Sequence, residues 1–499
     1  MKNALILLFM FCSVAVAEDK SLEQTSQPTL TIYNQNFFVA RERFSLDLKS
    51  GPNRVEYAGI ASHLEPDSVI LRDPAGRSLQ ILEQNYRNDP ISQELLLSLY
   101  EGKTIDFVIG QNGDKQITAP GRIVRSGYVS SSPYASGYAQ PAYTQPIIEM
   151  NGVLRFGLPG LPLFPALTGG SILKPTLNWL LQTSAPGKFD AEISYVSSGM
   201  NWQADYNLVV SEQPNSKTDA LDMIGWITMH NQSGKTYEDA RIKLMAGDVN
   251  KIQEGSLSSR VYAGVAKAME ADASAPVVRE KSFDEFHLYT LERPTTLHDQ
   301  ETKQVEFVRA TGIRAQRIYV YDGARLDQYG YYNPDQVRQD AGYGTLSNSK
   351  ISVMEEFKNS DTNHLGIPLP KGKLRFYRAD TDGHLEFVGE NTIDHTPKDE
   401  TIRVYTGNAF DVVGERKRTN FRVDSNQHWM EESFEIRVRN HKKETANVRV
   451  VEHLYRCANW KLTEQSHPSR KMDAHTVELP VTVAADGEAV VSYTVHYSW

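Results

Sequence analysis

The chain has 499 residues, of which 53 are Lys or Arg and 62 Asp or Glu, giving a formal net charge of −9, and 40% of its residues are hydrophobic. This acidic balance argues against a nucleic-acid partner, whose phosphates require a basic footprint. At roughly 150 residues per domain the length predicts about three domains, each large enough for its own core.

Residues 1–17 read as an export signal: Lys2 gives the positive start, residues 4–11 a short apolar core, and Ala15-Val16-Ala17 a cleavage site before Glu18-Asp19. The reading is an exported protein, periplasmic or secreted, and no later apolar run reaches the length of a membrane-spanning helix. Cys12 falls within the signal, and the bulky Phe11 before it argues against lipid attachment. Cys457 then stands alone, cannot close an internal disulfide, and reads as a small buried apolar residue beside Trp460.

Residues 28–125 predict a β-rich domain. Segments 30–33, 37–40 and 44–48 carry strand-like patterns, and Gly51-Pro52-Asn53, Asp73-Pro74-Ala75-Gly76 and Asn112-Gly113 mark reversals. One helix is expected here, capped by Ser92, with Leu95, Leu96 and Leu99 as its apolar stripe and Gly102 as its stop. Residues 126–150 follow as a Ser/Gly/Tyr/Pro-rich linker. Its tyrosines Tyr128, Tyr134, Tyr138 and Tyr143 offer the alternative of stacking on sugars or on another chain.

Residues 151–425 read as a central β-rich domain with loop insertions near 250–282 and 327–348. Strands are expected at 177–181, on both sides of 197–201, and at 225–230, which turns through Ser233-Gly234 into 240–244. Segments 373–378 and 384–389 flank Asp382-Gly383, a dipeptide suited to the positive φ of a tight hairpin. Residues 426–499 carry the clearest pattern: alternating strands at 434–439, 448–452, 477–483 and 489–495, the last two joined through Asp486-Gly487. The final strand places Val491, Tyr493, Val495, Tyr497 and Trp499 on one face. The fold class expected is mainly β: multiple antiparallel β-sandwich modules, immunoglobulin-like at the C-terminus, with few short helices. The chain lacks the succession of strands with an outward apolar band that a membrane barrel needs.

Several blocks, EISYVSSGMNWQADYNLVV, GWITMHNQSGKTYEDARIKLMAGDVN, FHLYTLERPTTLHDQETKQVEF, LGIPLPKGKLRFYR, NTIDHTPKDETIRV and AFDVVGERK, resemble a family of bacterial exported proteins described as a domain of unknown function and related to mucoidy inhibitor A-like proteins. The resemblance covers residues 177–499 and implies an exported cell-envelope protein. It supplies no catalytic residues. Residues 28–150 lack the long coiled-coil insertion of some relatives.

No G-x-S-x-G, H-E-x-x-H, C-x-x-C or phosphate-cradling glycine loop is present. The best polar constellation is Asp394-His395 with Asp399, Glu400, Asp411 and Glu415 downstream and His364 and His384 upstream, yet Asp394 and His395 would face opposite sides of a strand. The bland reading makes Asp394-His395 a turn before Pro397. Asp380-Thr381-Asp382-Gly383 is explained by the hairpin rather than by calcium, and Arg416-Lys417-Arg418 reads as a solvated strand edge. No metal or other cofactor is implied. The function expected is non-catalytic binding of an envelope protein or a polysaccharide; the alternative is a hydrolase of glycan or peptide using the groups between His364 and Glu415.

Overall fold

The computed structural model describes residues 22, 24–88, 92–113, 115–128, 145–165, 173–211, 218–247, 249–251, 278–283, 286–329, 333–380 and 382–499. Residues 1–17, read above as an export signal, Tyr134, Tyr138, Tyr143 and most of the 250–282 insertion lie outside these residues. Among them the chain is mainly β, with strands in four sheets of 13, 8, 5 and 3 strands and short helices at Gln93–Leu99 and Pro334–Gln339. No helix among the described residues is long and apolar enough to cross a membrane.

Ser92 caps the first helix as expected, its side chain accepting from Leu95 N at 3.1 Å. The stripe is different: Leu97 is the buried leucine, while Leu99 is 53% exposed. The helix spans only Gln93–Leu99, so one side chain suffices to dock it against Phe107 and Ile123 in a small satellite core. Within the 327–348 insertion, Asn333 and Gln336 form a reciprocal capping box that starts the second helix.

Most strand pairs are antiparallel. Among the described residues three are parallel: Thr29–Tyr33 with Tyr237–Ala246, Met200–Ser211 with Gly372–Ala379, and Glu301–Asp322 with Ala446–His453. The strands on either side of residue 199 are not a hairpin. Gly187–Ser198 pairs with Phe37–Leu48 in the eight-stranded sheet, and Met200–Ser211 pairs with Asp219–Asn231 in the largest sheet. Gly199, at φ 94°, carries the chain from one sheet to the other, and a Cβ there would sit 2.7 Å from the Gln232 carbonyl oxygen. The Asp382-Gly383 hairpin forms as expected, with Ala379 opposite Leu385 and Gly383 at φ 86°.

The principal core draws on residues from Leu30 to Val404, and a second core, from Tyr319 to Tyr497, lies under the C-terminal strands. Trp429–Asn440 shows how the second is built: every even residue from Met430 to Asn440 is buried, opposite the inward face of Gly487–Ser498 with Val491, Tyr493, Val495 and Tyr497. Cys457 is half-buried against this core, its thiol donating to the Ser498 carbonyl at 3.1 Å.

Asparagines close three of the reversals. Asn440 donates to the carbonyls of Glu444, Val483 and Ala484 and accepts from Lys442 N; Asn231 and Asn359 do the same work at their own turns. Asn440 is 1% exposed, so Asn440→Ala would strand these backbone groups out of water. The expected loss is about 2 kcal/mol, read as a lower urea midpoint at unchanged slope.

Candidate functional site

The residues singled out in the sequence are scattered. His364 takes a left-handed conformation at φ 61° and turns its Nδ1 to the Thr311 carbonyl. His384 lies at the hairpin tip against Asp382, and the Asp394 side chain is 93% exposed beside Lys371. His395 Nδ1 accepts from Lys371 N at 3.1 Å, and Glu415 pairs with Arg439 at 2.9 Å. Asp394 and His395 follow the Leu385–Ile393 strand rather than sitting in it, and the turn comes later, at residues 398–399. Among the described residues no three His, Cys, Asp or Glu side chains converge as metal donors. Of the six, Asp411 alone lines the cavity described next.

That cavity, of about 300 Å³, opens where the largest sheet curls. Leu385–Ile393, Gly372–Ala379, Met200–Ser211, Asp219–Asn231, Glu301–Asp322, Lys350–Lys358 and Thr401–Asp424 are successive neighbours, and the first returns to meet the last through Asn391 Nδ2 on the Tyr405 carbonyl at 3.3 Å. Leu208, Leu221, Ile313, Phe357, Leu374, Phe376 and Ile402 bury their side chains in the principal core, and Phe376 with Val210 continues that apolar lining into the cavity.

Lys350–Lys358 buries Ile351, Glu355 and Phe357, so Glu355 occupies an inward position of the strand alternation. The register sets Arg317 directly opposite it. Glu355 Oε1 lies 3.6 Å from both Arg317 Nε and Arg378 Nη2, too far for a good hydrogen bond, while Arg317 Nη2 reaches Asp219 Oδ2 at 2.9 Å. The Glu355 side chain is 3% exposed, and its Oε2 meets no hydrogen-bond donor among the described residues. Burial, and then the Asp219 charge, push this carboxyl up to about 7 against the pull of Arg317 and Arg378. Glu355 therefore holds its proton up to neutral pH, while Asp219 takes the closer arginine contacts.

The rim is built by a bulge. Pairing between Lys350–Lys358 and Thr401–Asp424 slips at Lys350/Ser352 and Val353/Met354, and the residues opposite, from Thr406 to Asp411, line the cavity. A bulge re-aims side chains, and Phe410 is left 94% exposed. Lys442, also lining the cavity, donates to Tyr319 Oη at 2.9 Å. The site thus combines a buried acid with spare accepting capacity, two guanidinium groups and an exposed ring.

The sequence reading missed Glu355, Arg317, Arg378 and Asp219. A signal existed: in KISVMEEFK the apolar phase runs through Ile351, Val353 and Phe357, and Glu355 is in step with it.

Arg416 corrects another expectation. It is not at a solvated edge: its side chain is 1% exposed and forks onto Glu452, itself fully buried, with Nε to Oε1 and Nη2 to Oε2 both at 2.9 Å. Burial alone would lower its pKa, but the Glu452 carboxylate overrides this and raises it. Arg418 likewise turns to Glu432, at 3.4 Å.

Residues 191–499 match the model of a protein family whose description is Domain of unknown function (DUF4139). No curated protein and no solved structure matches the chain.

Proposed function

The chain belongs to the DUF4139 family, a domain of unknown function, and we propose that it is an exported cell-envelope protein whose cavity at the curled sheet binds a polysaccharide segment without turning it over. The observation that carries this reading is the Glu355 carboxyl, buried and short of hydrogen-bond donors, lining a cavity beside the almost fully exposed Phe410. Sugar hydroxyls supply donors to a carboxyl and acceptors to Arg317 and Arg378, while the apolar face of a pyranose covers an aromatic ring. The export signal of residues 1–17 supports the location, as does the family resemblance to mucoidy inhibitor A-like proteins. In this reading the C-terminal strands serve as an immunoglobulin-like sandwich scaffold, supported by Trp429–Asn440 and Gly487–Ser498 sharing a core with Ala446–His453 and Thr476–Val483.

A glycan array probed with the purified protein tests the proposal. Wild type is expected to retain a defined set of glycans, and Phe410→Ala to weaken them about 10-fold, since one stacked ring is worth about 1–1.5 kcal/mol. An array without hits, or hits indifferent to both Phe410→Ala and Glu355→Gln, would sink the reading.

One observation favours catalysis as a second reading. A carboxyl pushed up to about 7 in a cavity wall, with Asp219 on the same arginine, supplies the general acid that glycoside hydrolysis uses. Release of reducing ends from an array hit by wild type, abolished in Glu355→Gln, would select it over simple binding.

A further inference from the structure

The eight-stranded sheet carries a row of arginines across its solvent face, far out of keeping with the acidic chain as a whole. Strand register places them. Arg241 on Tyr237–Ala246 lies opposite Thr29, Thr29 opposite Arg41, and Arg41 opposite Ser194; one pair further along, Arg43 lies opposite Glu192 and Glu192 opposite Arg72. All four arginines are exposed, and they line one concavity of about 430 Å³.

The four are not equivalent. Arg43 and Arg72 are both committed to Glu192, with Nε of Arg43 at 2.9 Å and Nη2 of Arg72 at 2.6 Å from its two oxygens. The Glu192 side chain is 3% exposed; burial would raise its pKa, but the hydrogen bonds from Arg72 and Arg43 lower it, so this carboxylate stays ionised and fixes both guanidiniums. Arg41 and Arg241 pair with no carboxylate among the described residues. Arg241 has only a long contact to Gln27 Oε1, at 3.4 Å. They flank Thr29 from the two neighbouring strands, about 10 Å apart at the backbone, which is two strand spacings. Side chains as long as arginine can span that gap, and the Thr29 and Ser26 side chains line the same concavity.

We infer that this concavity is an oxyanion site that takes a phosphate group, clamped between Arg41 and Arg241 over Thr29, with the Arg43–Glu192–Arg72 bridge as its rigid flank. Four guanidiniums against one carboxylate leave an excess of three positive charges, more than a single carboxylate ligand neutralises. Guanidinium forks match the oxygens of phosphate, and the two hydroxyls add donors from a third direction, as a tetrahedral anion requires. The site lies on a different sheet from Glu355, so neither proposal depends on the other.

Isothermal titration of the full-length protein with inorganic phosphate, with glycerol phosphate as a monoester and with acetate tests it. The expected result is saturable one-to-one binding of phosphate, weakened about 10-fold by Arg41→Ala and by Arg241→Ala. Arg41→Lys, which keeps the charge but loses the fork, is expected to fall between, and Arg54→Ala, on a strand of another sheet, to match wild type. Tighter binding of the monoester assigns the site to a phosphorylated ligand, and tighter binding of inorganic phosphate to the free ion; both uphold it. No saturable heat with either phosphate, equal affinity for acetate, or an equal loss in Arg54→Ala would overturn it. Urea midpoints of the variants separate lost binding from lost fold.

Discussion

Glu452→Gln is expected to cost about 3–5 kcal/mol of stability, the range for breaking a buried ion pair by removing one charge. The substitution keeps the volume of the side chain and takes away its charge. Arg416 would then lie buried over the Phe434 ring, 3.9 Å from its centroid, with the Gly344 carbonyl still accepting from it at 2.8 Å. Tyr493, whose hydroxyl donates to Glu452 Oε2 at 2.5 Å, would face an amide instead of a carboxylate. The measurement is urea denaturation followed by tryptophan fluorescence. The double variant Arg416→Met with Glu452→Leu is expected to lose less than Glu452→Gln alone, because no uncompensated charge stays inside. A single substitution costing under about 1 kcal/mol would show that the pair is dispensable.

Glu355→Gln should act in the opposite direction. In the unfolded chain Glu355 loses its proton near 4.5, and in the folded protein near 7. Between those values the folded state binds more protons, so this residue's contribution to stability falls as pH rises from 4.5 to 7 and stays at the lower level above. At about 1.4 kcal/mol for each tenfold change in proton affinity, the full difference is about 3 kcal/mol. The glutamine variant carries no such proton. It is therefore expected to be the more stable protein at pH 8 by about that amount, with the advantage vanishing near pH 4. Melting both proteins across this interval isolates the one group, since every other titration is common to the pair. An advantage that does not change with pH would mean that the carboxyl is not held protonated by its surroundings.

The two substitutions concern one kind of position. Glu355, Glu432 and Glu452 each occupy the inward phase of an alternating strand. In the sequence they look like interruptions of an apolar pattern, and the hydrophobic alternation around them was legible. So were the Asp382-Gly383 reversal, the Ser92 cap and the single face of the C-terminal strand, because each is decided by residues adjacent in the chain. The three parallel pairings and the crossing at Gly199 were not. They depend on register between segments far apart, and a strand's own alternation does not say which strand it will lie beside. The cavity escaped for the same reason: Asp219, Arg317, Glu355 and Arg378 come from four strands, register sets Arg317 opposite Glu355, and the curl of the sheet brings Arg378 to them.

Glu301–Asp322 contributes Phe307, Val308, Ala310, Ile313 and Ala315 to the principal core, and Tyr319 and Tyr321 to the second. A single uninterrupted ribbon is therefore the common girder of two interiors. Loosening either end frays the bonding edge on which the other is stacked, so heat should melt the two interiors together, as one calorimetric peak.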